Sequence, residues 1–200
     1  MSRRMIMSTL VLASPVLALT SCRDGAIREP SSTGDVHVTA RALAAVSAEH
    51  LGKPSQAQVE QDPFGLGHPI AATSARYRTP SDDGDEVTVE VGTGLDRRMH
   101  MCRSEDSRGG CFSLNGVRVI WSPEIPEEDP GSIAVVAPRE GGVYAVAGYS
   151  GTAITGDPRK LDLSLPLDDL IALARDARVD RTTTQAAVDA GANLDFWTFG

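Results

Sequence analysis

The chain has 200 residues, with 27 acidic side chains against 19 basic ones and a net charge of −8. That balance speaks against nucleic acid, which needs a basic face to meet phosphates, and against peripheral docking on anionic lipid headgroups. Its 2 Trp, 3 Tyr and 4 Phe are too few to build a base-stacking surface or a sugar platform.

The N-terminus carries Ser2-Arg3-Arg4, an apolar run from Met5 to Leu19, and then Thr20-Ser21-Cys22. A positive start, a short apolar stretch and small residues at its end are the three parts of a secretory signal. The run is shorter than the ~20 residues that cross a bilayer, and Pro15 breaks it. Leu19-Thr20-Ser21-Cys22 resembles a bacterial lipobox, in which the cysteine sulfur is joined to diacylglycerol and the leader is cut just before it. The resemblance implies a lipoprotein signal peptide over residues 1–21 and lipidation at Cys22. It also implies an exported product held at the extracytoplasmic face of the cell membrane. A simple cleaved signal is the alternative. Ser2-Arg3-Arg4-Met5-Ile6-Met7 resembles a twin-arginine export signal, with Ile6 where phenylalanine is usual, so both that route and general secretion stay open.

Removing Arg3 and Arg4 with the leader lowers the net charge by two, to −10. Residues 22–34 are polar and rich in Gly, Pro and Ser, the composition of a flexible tether. Residues 35–200 are one domain by size and long enough to hold a core without metal.

A helix is expected from Thr39, which can cap it. Leu43, Val46, His50 and Leu51 recur at helical spacing, and Gly52 and Pro54 stop it. Lys53 to His68 has no clear period and reads as loop. From Pro69 the period becomes two, and Val87, Val89 and Val91 mark a half-buried strand. Arg97–Cys102 and Cys111–Trp121 are expected to pair, with Asn115-Gly116 giving a kink or tight turn. Ile133–Ala137 and Val143–Ala147 form a second hairpin across Arg139-Glu140-Gly141-Gly142. Pro123 to Pro130 is an acidic, proline-bounded loop. In the last third Ser164 is the candidate cap of a helix through Leu167, Leu170, Ile171 and Ala174, with Pro166 in its first turn. A short helix is expected over Thr183–Ala190, stopped by Gly191, and the terminal Phe196-Trp197-Thr198-Phe199 should dock on the sheet.

This order of lipobox, short helix, central strands with two spaced cysteines, glycine-turn hairpin and Leu-Asp-Asp-Leu-Ile-Ala-Leu-Ala-Arg-Asp resembles a group of uncharacterised actinobacterial secreted lipoproteins. The likeness spans most of residues 36–180, and no activity comes with it. Pro166 stands where that group has a capping Thr or Ser.

With Cys22 assigned to lipid, Cys102 and Cys111 remain, eight polar residues apart. They are expected to form a disulfide across the neck of a hairpin, stabilising the fold by roughly 2–3 kcal/mol in an oxidising compartment. A redox dithiol more often has two intervening residues. Gly148-Tyr149-Ser150-Gly151 is close to a serine nucleophile elbow, but Thr152 breaks the pattern. His37, His50, His68 and His100 show no metal spacing, although His100 and Cys102 would share a strand face. Asp82-Asp83-Gly84-Asp85-Glu86 lacks the ligand spacing of a calcium loop and reads as a solvated turn. Glu127-Glu128-Asp129 reads as a charge run on a loop.

The expected fold is α+β, a mainly antiparallel sheet of five or six strands with the N- and C-terminal helices on one face. The expected function is a non-catalytic binding module on the envelope, with an envelope protein or wall component as partner and no nucleic acid. No catalytic, metal or cofactor-binding residue is assigned, and no cofactor is expected. A carrier for a lipid or hydrophobic small molecule is the alternative, and a hydrolase built on Ser150 is a distant third.

Overall fold

The computed structural model describes residues 36–65, 68–78, 84–94 and 109–197. The leader, Cys22, the tether, the expected strand Arg97–Cys102, His100, Asp82-Asp83 and the terminal Thr198-Phe199 lie outside the described residues.

The domain is α+β. Its main sheet has eight strands in the order β10-β2-β3-β4-β8-β7-β6-β5, and β1 and β9 form a separate two-stranded ribbon. The strands are β1 Val36–His37, β2 Gln56–Val59, β3 Pro69–Tyr77, β4 Asp85–Thr93 and β5 Gly110–Leu114. They continue with β6 Val117–Ser122, β7 Ser132–Pro138, β8 Val143–Ser150, β9 Thr182–Thr183 and β10 Phe196–Trp197. Every pairing in the main sheet is antiparallel except β10 with β2.

The strand count exceeds the expected five or six because short strands carry weak periodicity. Gln56–Val59, expected as loop, buries only Ala57 yet pairs along its whole length with β3. Cys111–Trp121, expected to pair with Arg97–Cys102 and to kink or turn tightly at Asn115-Gly116, takes the tight turn and is a hairpin in itself. Asn115 and Gly116 both take positive φ, 50° and 81°, the conformation of a two-residue type I′ turn. The hairpin β7–β8 turns where expected, through the 3-10 turn Glu140–Gly142.

Helix α1 spans Ala40–Leu51, and Thr39 caps it by accepting from Ala42 N at 3.1 Å. Ala42 to Ser47 are buried without a break, so α1 is enclosed nearly all round rather than along one stripe. Its alanines permit that enclosure, because small side chains let a neighbouring backbone come close. Helix α3, Gln185–Ala192, exploits this: Gly191 lies against α1, where a Cβ would fall 2.4 Å from Arg41 O. Gly191 therefore sits inside the helix rather than stopping it, and Asn193 forms the C-cap.

Helix α2 spans Leu167–Arg175 with Pro166, not Ser164, at the N-cap. Asp168 and Asp169 sit in its first turn, where the helix dipole favours negative charge. Arg139 closes the other end, donating from Nη2 to Ala174 O at 2.7 Å and Asp176 O at 2.8 Å, and from Nε to Val179 O at 3.1 Å. Carbonyls that a helix end leaves without partners are thereby satisfied.

One face of the sheet, carrying Val87, Val89 and Val91 with Ala145, Ala147 and Tyr149, packs against Leu43 and Val46 of α1 and Leu170 and Leu173 of α2. Each of these valine and leucine side chains contributes about 1.5–3 kcal/mol by leaving water. The opposite face has a smaller cluster of Tyr144, Val146 and Val136, with Phe64 packed over it. Gly148 makes room for that ring, since a Cβ there would meet Phe64 at 2.6 Å.

Candidate functional site

Three elements converge at one end of the sheet: the exit of α1, the last residues of β3, and the segment leading into α2. Between them is a cleft of about 400 Å3, lined by Leu51, Gly52, Lys53, Pro54, Ser55, Tyr77, Arg78, Ser164 and Leu165. Gly52, at φ 86°, turns the chain out of the helix and sends Lys53 to Ser55 along the cleft wall.

Behind the floor stands Asp85. It opens β4 opposite Tyr77 of β3 and is fully buried. Ser164 Oγ donates to its Oδ2, and Tyr149 OH donates to Oδ1 at 3.2 Å. Tyr149 in turn accepts from Thr152 N at 3.1 Å, and Thr152 Oγ1 lies 2.8 Å from Ser164 Oγ. Gly151 fits over the carboxylate where a Cβ would fall 2.0 Å from Oδ1. No Lys or Arg among the described residues forms an ion pair with Asp85. This is a buried carboxylate held by hydroxyls.

Tyr77 is 4% exposed, and its hydroxyl has no hydrogen-bond partner among the described residues. Burial pushes its pKa well above the ordinary phenol value, so the group stays a neutral donor. Lys53 and Arg78 are exposed at the rim, while Leu51, Pro54 and Leu165 supply the apolar wall.

The residues singled out in the sequence are placed elsewhere. Cys111 is in β5 opposite Ile120 and is disulfide-bonded, while Cys102, its expected partner, lies outside the described residues. Ser150 closes β8 and donates to Gly131 O at 3.3 Å, a contact that secures a turn. His37 is in β1, and His68 stands before β3, its carbonyl accepting from Thr93 N at 3.1 Å. His50 Nε2 meets Asp176 Oδ2 at 2.9 Å. Asp129, in the acidic loop, accepts from Gly131 N at 2.7 Å. Among the described residues no group of three His, Cys, Asp or Glu side chains could hold a metal ion.

The solvated-turn reading of the acidic run is corrected at Asp85, which is buried inside the network. Its signal was its place at the head of an alternating strand. In the pattern Asp85-Val87-Val89-Val91 it shares the core-facing side of the valines. Ser164, read as a helix cap, belongs instead to the same network.

The second face of the sheet holds another buried acid, Glu90, which accepts from Tyr144 OH at 2.9 Å. Near it Glu60 Oε1 accepts from Gln58 Nε2 at 2.7 Å and Ser74 Oγ at 2.8 Å. No helix among the described residues is long and apolar enough to cross a membrane. The chain matches no family model, no curated protein and no solved structure.

Proposed function

We propose that this chain is a cell-envelope lipoprotein, anchored through Cys22 at the outer face of the membrane. Its domain is a non-catalytic binding module for an envelope protein or wall component. The likeness of its leader and cysteine pattern to actinobacterial secreted lipoproteins supports that placement. The observation that carries the binding reading is the cleft beside Asp85. It is open, about 400 Å3 in volume, and mixes two cations, several hydroxyls and a short apolar wall. Such a lining orients a small polar group or the end of a chain.

The same volume is large enough for the carrier alternative, but an acyl chain would leave Lys53, Arg78, Ser164 and Tyr77 facing hydrocarbon, at a cost of several kcal/mol. Catalysis is disfavoured by the partners of the candidate nucleophiles. Ser150 is turned to a backbone carbonyl, and Ser164 bonds a carboxylate with no imidazole between them.

A photo-activated side chain at Ser55, on the cleft, tests this in intact cells against the same group at Ile125 in the acidic loop. Ser55 should capture one envelope or wall component, and Ile125 none. Equal labelling from both positions, or none from either, overturns the reading. For the anchor, labelled fatty acid should appear on the wild-type chain and be absent from Cys22→Ala, which keeps its fold. A mature N-terminus other than a modified Cys22 would leave a freely secreted domain.

A further inference from the structure

We propose that Asn115 is a site of spontaneous deamidation, where Gly116 N closes a succinimide ring and water reopens it to aspartate or isoaspartate. The second product unlatches the edge strand β5.

The sequence contains two asparagines, Asn115 and Asn193, and their surroundings are opposite. Asn193 caps α3, with its Nδ2 donating to Asp189 O at 3.0 Å. The amide that follows it, Leu194 N, donates to Gly191 O at 3.3 Å, and a leucine side chain shields it. Asn115 and Gly116 are both exposed at the tip of the β5–β6 hairpin. The register across the turn pairs Leu114 with Val117, and among the described residues neither the Asn115 side chain nor Gly116 N makes a hydrogen bond. Space around Gly116 is open, since a Cβ there would meet nothing within 4 Å. The nucleophile is thus uncommitted and unshielded, and the side-chain amide it attacks is held by nothing.

Once base removes its proton, Gly116 N attacks Asn115 Cγ. A C–N bond forms, the Cγ–Nδ2 bond breaks, and the departing nitrogen takes a proton from water and leaves as ammonia. Hydrolysis of the cyclic imide at Cγ gives aspartate. Hydrolysis at the backbone carbonyl carbon leaves the chain running through the side chain, longer by a methylene. Water is the co-reactant and ammonia the by-product on either route.

The fold decides what each product does. Both turn residues hold positive φ, 50° at Asn115 and 81° at Gly116. Asp-Gly serves a type I′ turn as Asn-Gly does, so the aspartate form keeps the hairpin. Isoaspartate lengthens a turn that has no spare residue, and the Leu114–Val117 pair is lost with the register it sets. β5 ends the sheet order, and β6 alone flanks it among the described residues. Phe112 of β5 packs on Trp121 with ring centroids 5.8 Å apart, and Arg159 lies 4.2 Å over its ring. Those contacts loosen with the turn, while the pairings from β6 to β10 are untouched.

Peptide mapping by mass spectrometry of the purified full chain, aged in mildly alkaline buffer at body temperature, tests this. Asn115 should gain the mass of amide-to-acid exchange as both aspartate and isoaspartate, and Asn193 should gain none. Conversion should run roughly tenfold slower than in a free peptide of residues 111–118, because the turn must open before the ring can close. Asn115→Gln should stay intact, since its longer side chain closes a ring far more slowly. In hydrogen exchange the amides of residues 110–114 should open roughly tenfold more often in the isoaspartate fraction, and as in wild type in Asn115→Asp. An Asn115 still intact after about a hundredfold the peptide's reaction time, equal conversion at Asn193, or aspartate without isoaspartate overturns the site. Unchanged exchange in the isoaspartate fraction overturns the unlatching of β5.

Discussion

Asp176 shows how one side chain can tie distant segments. It receives His50 of α1 at 2.9 Å and Arg178 at 2.7 Å, and Arg178 reaches back to Glu49 at 2.7 Å. Burial pushes its carboxyl up, but the hydrogen bonds from Arg178 and His50 outweigh burial and hold it well below the usual carboxylate range. A depressed folded pKa contributes stability that is complete above the unfolded value, 3.8 here, and is lost as pH falls through the folded one. The wild type should therefore lose stability on acidification below about pH 4. Asp176→Asn should be about 2 kcal/mol less stable at pH 7 and lose less on going to pH 3. Urea melts at both pH values measure this, and parallel losses would remove Asp176 from the account. The exposed pair Asp157–Arg159, which holds the Asp157 carboxyl at about 2, is a surface ion pair and should matter little.

Between elements, the closest approach is α3 on α1 at Gly191. Alanine would improve the intrinsic helix propensity of α3 by about 1 kcal/mol. Its methyl would meet the Arg41 carbonyl at 2.4 Å, and that oxygen belongs to a helix that cannot yield as a flexible side chain does. The clash should win, so Gly191→Ala is expected to destabilise by roughly 1–3 kcal/mol despite the better propensity. A melting temperature equal to or above wild type would show that α3 is free to shift. On the second face of the sheet, Gly148→Ala should also destabilise, and less so in a Phe64→Ala background, where the obstructing ring is gone. Comparing the two backgrounds reads the coupling directly.

At the scale of the whole molecule, elements with strong period or firm punctuation were legible in the sequence. Thr39 and Gly52 bracket α1, the alternating valines give β4, and the glycine turn gives β7–β8. What escaped was short or non-local. β2 buries one alanine and exists because β3 lies beside it. Ser164 resembles a cap to any local reading, and only the return of the chain to β4 gives it Asp85. The cleft was not legible, since its lining comes from three segments more than twenty residues apart along the chain. The expected bridge from Cys102 to Cys111 would join the edge strand β5 to the chain before it. Cys102→Ser should lower thermal stability by roughly 2–3 kcal/mol and open Cys111 to dimerisation. Two free thiols in mass spectrometry of the exported, non-reduced protein would refute the bridge.

The ribbon of β1 and β9 has a mechanical side. If the domain hangs from a lipid at Cys22, tension between bilayer and partner enters at Val36, the first residue of β1. That strand is held by two residue pairs, Val36 with Thr183 and His37 with Thr182, and by Val38 N donating to Arg181 O at 3.2 Å. So small a clasp should release at lower load than the eight-stranded sheet behind it. The freed length would act as a shock absorber, lengthening the tether before α1 is disturbed. In single-molecule pulling from the N-terminus it should appear as a small early yield ahead of the main rupture.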